Sequence, residues 1–110
     1  MTIGIYCIRN LINNKVYIGQ SQNIEIRWTE ERNTWNINHY AHPLNNSFKK
    51  HGLHNFEFII IEECSLDIID ELEIQWISFF DSCNLDKGYN LALGGKSKGE
   101  DLKCQEKLVL

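Results

Sequence analysis

Two stretches near the N-terminus alternate with period two, and they constrain the fold more than any other feature of the chain. Ile3, Ile5 and Cys7 alternate with Gly4, Tyr6 and Ile8, so successive side chains point to opposite faces of a strand. Lys15-Val16-Tyr17-Ile18-Gly19 repeats the pattern, and Asn13-Asn14 between the two stretches is turn chemistry. The expectation is a hairpin. Any register whose paired residue numbers sum to an odd value puts Tyr6 and Tyr17 on one face, as direct or diagonal neighbours. Periodicity leaves these tyrosines two roles, sheet-face packing or a shared site.

Ser21 followed by Gln22-Asn23-Ile24 reads as a helix start, with the helix running to about Trp35. Ile24, Trp28 and Trp35 fall on one stripe, and Arg27 lies at its border. Arg27 can pair with Glu31 or Glu30 on its own helix, or serve a site. The stretch 36–43 is polar and irregular. A second short helix is expected from about Leu44 to Lys50, ended by His51-Gly52. Phe56 to Ile61 is strongly β-forming, closed by Glu62-Glu63. Ser65-Leu66-Asp67 then opens a third helix to about Phe80, with Ser65 or Asp67 as its cap. Residues 88–95 read as loop or short strand, and 96–110 as a tail or the start of a linker. The domain expected is therefore 1–95.

The third helix holds the residue that does not fit. At 100° per residue, Leu66, Ile68, Ile69, Leu72, Trp76, Ile77, Phe79 and Phe80 form an apolar arc. Asp67, Asp70, Glu71, Gln75, Ser78 and Asp81 lie opposite, joined by Ile74. Glu73 falls inside the apolar arc. A carboxylate on a buried face is costly unless paired, hydrogen-bonded or bound to a cation. Structural pairing and chemistry both remain open for it.

With 110 residues the chain has room for one domain with one core. It shows no apolar run near the ~20 residues that span a bilayer and no signal-peptide pattern, so a cytoplasmic location is the expectation. Cys7, Cys64, Cys83 and Cys104 stand far apart with no zinc-type spacing, which makes free thiols the expectation and Cys7 a small core residue. Eleven basic and fifteen acidic residues give a net charge of −4. Phosphate contacts supply most non-specific affinity for nucleic acid, so such a chain should hold DNA weakly by itself.

Together these residues resemble the GIY-YIG endonuclease family, most nearly the catalytic domain of phage intron-encoded homing endonucleases. Gly4-Ile5-Tyr6 is followed after ten residues by Tyr17-Ile18-Gly19. Arg27-Trp28, Ser47-Phe48-Lys49-Lys50-His51-Gly52, Glu73-Ile74-Gln75-Trp76-Ile77, Gly88-Tyr89-Asn90 and Gly94-Gly95 follow in the family's order.

The resemblance implies an α/β (α+β) fold, a small three-stranded antiparallel sheet flanked by helices. It implies phosphodiester hydrolysis in DNA, with Glu73 as ligand to one Mg²⁺ or Mn²⁺. Arg27 would clamp the phosphate, and Tyr17 or Tyr6 would orient or deprotonate the attacking water. A phenol with a pKa of ~10 is a poor base unless nearby positive charge lowers it, and Arg27 and Lys15 are the candidates for that charge. Asn90 would hold the geometry by hydrogen bonding. The family's catalytic histidine corresponds to His39 when counted back without gaps from Ser47, and His42 is the alternative. Homing members continue into a separate DNA-binding domain, so DNA recognition is expected there or on a partner chain. Oligomeric state is not set by the sequence. A restriction or repair nuclease of the same fold and a catalytically silent binding module are the competing readings.

Overall fold

The structure, a computed structural model, describes residues 1–34 and 42–95. In chain order it forms β1 (Gly4–Asn10), β2 (Val16–Ser21), α1 (Ile24–Thr34), α2 (Pro43–His51), a 3₁₀ turn (Leu53–Asn55), β3 (Phe56–Glu63) and α3 (Ile69–Phe80). The strands make one antiparallel sheet in the order β2-β1-β3. No helix among the described residues is long and apolar enough to cross a membrane.

Both parities of β1 are apolar because both its faces are covered. Tyr6 and Ile8 pack with Ile24 of α1, with Leu44 and Phe48 of α2, and with Tyr89. Ile5 and Cys7, with Val16 and Ile18 of β2, meet Ile69 and Ile77 of α3. Burial raises the Cys7 thiol pKa to about 11, as suits an unreactive core residue. Cys7 and Cys64 are free, but Cys83 is disulfide-bonded, so the expectation of free thiols fails there.

The hairpin register pairs Tyr6 with Gly19 and Ile8 with Tyr17, making the two tyrosines diagonal neighbours on one face, as expected. Gly19 is required by that register. A Cβ there would lie 2.5 Å from the Tyr6 hydroxyl and ring, because the Tyr6 side chain lies across this position.

The turn between the strands is organised by Asn10, which is fully buried. Its Oδ1 accepts from the Ile12 N–H at 2.8 Å, and its Nδ2 donates to Ser47 Oγ at 3.1 Å and to the Tyr89 hydroxyl at 3.0 Å. Ser47 and Tyr89 bond each other at 2.7 Å. One polar network thus ties the hairpin turn to α2 and to the segment after α3.

That segment also closes the outer edge of β2. The Val16 N–H donates to Lys87 O at 3.2 Å and the Tyr89 N–H donates to Val16 O at 2.9 Å. The Asn90 side chain then bonds both backbone groups of Ile18, its Nδ2 donating to the carbonyl and its Oδ1 accepting from the N–H, each at 2.9 Å.

Helix α1 begins at Ile24, within the start expected from Ser21 to Ile24, and Asn23 caps it, its Oδ1 accepting from the Ile26 N–H at 3.2 Å. Neither Ser65 nor Asp67 caps α3, which begins only at Ile69 and has no side-chain cap. Residues 66–68 form a turn instead. For α2 the cap is His42, whose Nδ1 accepts from the Leu44 N–H at 3.0 Å. Pro43 follows in the first turn, where its missing N–H costs nothing.

Gly19→Ala forces its methyl into the Tyr6 ring, and overpacking of this kind costs ~1–3 kcal/mol. Urea denaturation should show that loss, and wild-type stability in the variant would refute the close approach.

Candidate active site

Tyr6 and Tyr17 project from neighbouring strands with ring centroids 6.3 Å apart. Trp28 of α1 meets Tyr6 edge-on at 6.1 Å, which docks α1 on this face of the sheet. Arg27, next to Trp28, stands at the exposed border of that contact. The Tyr6 hydroxyl is buried without a hydrogen bond of good geometry, yet the Arg27 guanidinium is near enough for its charge to favour the phenolate.

Burial wins over that charge. Desolvation is the largest influence on both phenols and pushes each pKa well above the ordinary value. For Tyr17 the neighbouring Tyr6, Glu31 and Glu73 push in the same direction, and Arg27 opposes them. The guanidinium itself loses water, which lowers its pKa, but the two phenols and Glu31 outweigh that and hold it above its usual value. Lys15 is the other residue considered for that charge. Its Nζ lies 6.0 Å from the Tyr89 ring centroid.

Glu73 occupies the buried face of α3, as its position in the apolar arc predicted, with 5% of its surface exposed. Its Oε1 accepts from Gln20 Nε2 at 3.0 Å and from the Gly95 N–H at 2.9 Å. Gly94, at φ +104°, turns the chain so that its neighbour's N–H reaches the carboxylate.

The helix periodicity misplaced two residues of α3. Asp70, expected on the polar side, is buried at 4% exposure, and Phe79, expected in the apolar arc, is 74% exposed. Asp70 lies only about 20° beyond Ile77 on the helical wheel and Phe79 about 160° from it, so the face that packs is turned from the centre of the apolar arc toward Ile77. The arc that packs centres on Ile69, Glu73 and Ile77, with Asp70 at its flank. Asp70 Oδ1 accepts from Gln20 Nε2 at 2.8 Å, so one amide nitrogen bridges two buried carboxylates.

Glu73 and the tyrosines thus approach β2 from opposite faces. Alternation along β2 directs Tyr17 toward α1 and Ile18 and Gln20 toward α3. Glu73 is close enough that its charge raises both phenol pKa values.

Asn90 stands behind this assembly, holding Ile18 between Tyr17 and Gly19. His39 lies outside the described residues. His42 packs edge-on against Tyr17, ring centroids 5.6 Å apart. Because its Nδ1 accepts from Leu44, the neutral ring carries its proton on Nε2.

Sequence reasoning missed Gln20, Asp70 and the Gly95 N–H, and it treated Glu31 only as a partner for Arg27. Glu31 is half-buried, and desolvation raises its carboxyl pKa against the pull of Arg27. Parity along β2 does put Gln20 on the Ile18 face, but nothing in a sequence says that α3 covers that face at Gln20.

Among the described residues no three His, Cys, Asp or Glu side chains gather as a metal cage. One buried carboxylate anchored through one oxygen suits a hard cation that keeps most of its waters, and it does not suit a zinc-type site.

The family model for the GIY-YIG catalytic domain matches residues 2–90. The chain is 40% identical over 95 residues to intron-associated endonuclease 1 of Enterobacteria phage T4, a match covering 84% of this chain and 38% of that protein. The chain therefore spans well under half the length of that curated relative. Two solved structures are similar. One is a mutant of the catalytic domain of intron endonuclease I-TevI, at TM-score 0.74 and 38% identity over 84% of this chain and 95% of that one. The other is the catalytic domain of homing endonuclease I-TevI, at TM-score 0.71 and 38% identity over 82% and 98%. Sequence match and fold agree: the chain belongs to the GIY-YIG family.

Proposed function

We propose that residues 1–95 form a divalent-metal-dependent DNA endonuclease domain of homing or mobile-element type, with 96–110 as a tail or linker start. The observation that carries this reading is the gathering of Arg27, two phenols and a buried carboxylate around Tyr17–Gln20 of β2. Hydrolysis of a phosphodiester needs an oriented water, charge stabilisation at phosphorus and help for the leaving 3′ oxygen.

Glu73 would hold Mg²⁺ or Mn²⁺ through its carboxylate. When bound there, such an ion would supply neutralisation of charge on the scissile phosphate and the departing oxygen. Arg27, charged at every relevant pH, clamps a non-bridging phosphate oxygen with its planar donors. Tyr6 and Tyr17 keep their protons, because burial has pushed both pKa values up. They orient the water as neutral hydroxyls, and a phenolate base is not needed from the resting protein. A histidine takes the proton from that water. His39 is the residue the family pattern selects, and the packing of His42 against Tyr17 supports the alternative. Asn90 fixes the backbone that presents Tyr17 and is a positioning residue.

DNA is the partner of this domain, bound weakly given the chain's net charge of −4. Target affinity resides in a separate DNA-binding domain or partner chain.

Supercoiled plasmid should be nicked or linearised at low salt with Mg²⁺ or Mn²⁺ and left intact with EDTA. Glu73→Ala and Arg27→Ala should each slow cleavage by about 100-fold or more, the scale of losing one group that stabilises transition-state charge. Cleavage that survives EDTA or Glu73→Ala would refute the metal-dependent mechanism.

The raised phenol pKa values also link stability to pH. Their contribution is complete below the unfolded value of ~10 and is lost as pH rises above it, by ~1.4 kcal/mol per pH unit for each phenol. Tyr17→Phe should therefore flatten the alkaline fall in unfolding free energy by about one proton's worth. An unchanged slope would show that the Tyr17 hydroxyl is well solvated.

A further inference from the structure

We propose that Gln20 and Asp70 are positioning residues that hold Glu73 in its cation-ligating orientation and so set the domain's affinity for the divalent ion. This rests on the reading of Glu73 as the metal ligand.

The two buried carboxylates lie one helical turn apart on α3 and share a single neutral side chain. Gln20 Nε2 stands 2.8 Å from Asp70 Oδ1 and 3.0 Å from Glu73 Oε1, so each amide hydrogen has its own carboxylate. Both neighbours accept hydrogen bonds when ionised and cannot donate them. Only the nitrogen of the Gln20 amide can face them, since a flip would set its carbonyl oxygen against two negative oxygens. Asp70 therefore selects the amide orientation that donates to Glu73.

The second donor to Glu73 Oε1, the Gly95 N–H at 2.9 Å, comes from another segment. Two directional bonds from β2 and from the segment after α3 fix the carboxylate plane. A ligand carboxylate held in this way loses little freedom on meeting a cation, and partners behind metal ligands are worth ~10–100-fold in affinity. Gln20 directly follows Tyr17-Ile18-Gly19, so the same strand sets the phenol and steers the acid. Asp70 acts through Gln20 and is not proposed as a ligand.

The test reads metal binding apart from cleavage. Mn²⁺ is titrated into wild-type protein and variants of verified fold, and free Mn²⁺ is followed by electron paramagnetic resonance. Gln20→Ala and Asp70→Ala should each weaken Mn²⁺ binding by about 10-fold, and the double variant should be little worse than either single one because both act on one carboxylate. Asp70→Asn keeps an acceptor for Gln20 and should bind nearly as wild type.

Wild-type affinity in Gln20→Ala, with Glu73→Ala binding abolished, would overturn the positioning role and leave the metal site standing. Equal losses in Asp70→Asn and Asp70→Ala would also overturn it, making Asp70 a ligand. If wild type and Glu73→Ala are equally without Mn²⁺ affinity, both this proposal and the metal-site reading fall. A change confined to thermal stability, with the Mn²⁺ titration unmoved, would mark the bridge as structural only.

Discussion

The side-chain amide of Asn90 makes the two hydrogen bonds to Ile18 that a neighbouring strand would otherwise make. Val16, one step along the same edge, is tied to Lys87 and Tyr89 through the backbone. The segment after α3 thereby holds β2 without adding a full strand to the sheet. Every site element depends on that edge. Tyr17 and Gln20 leave it in opposite directions, toward α1 and α3, and Gly19 keeps it thin enough for the Tyr6 ring to lie across it. Burial of both Asn90 and Ile18 makes the bonds matter, since backbone groups left unpaired there would each cost ~1–3 kcal/mol.

The same burial sets the electrostatics. A guanidinium beside two phenols suggests activated phenolates, but desolvation acts on the hydroxyls more strongly than Arg27 does. The exchange is consistent. Protonated phenols spare Arg27 from internal neutralisation, and its charge stays available for an anion arriving from solvent. Glu73 and Glu31 push the same way, since negative charge near a phenol disfavours a second negative charge.

Local periodicity carried much of this architecture. Strict alternation with an asparagine turn specified the hairpin and the shared face of Tyr6 and Tyr17. The anomaly of Glu73 on an apolar arc marked a buried carboxylate before its surroundings were known. What escaped depended on partners distant in sequence. Asp70 was misplaced because the face of α3 that packs is turned toward Ile77 and away from Phe79, and the apolar pattern of the helix alone does not show that rotation. Gln20 has no periodic signature of its own, and its meaning comes from carboxylates 50 and 53 residues away. For Asn90 the resemblance implied a geometric role, and only the structure named Ile18 as its partner. The balance between burial and Arg27 at the phenols also depends on packing that no local pattern encodes.

On the proposed function, Glu73 ligates the metal in a site shared with Arg27 and the tyrosines. Crystals of the domain soaked in Mn²⁺ and measured for anomalous scattering test it directly. One strong peak is expected at ~2.1–2.2 Å from a Glu73 carboxylate oxygen, on the side facing Tyr17 and Arg27, with waters filling the remaining coordination positions. A peak elsewhere, or none at Glu73 at Mn²⁺ concentrations that support cleavage, would contradict it.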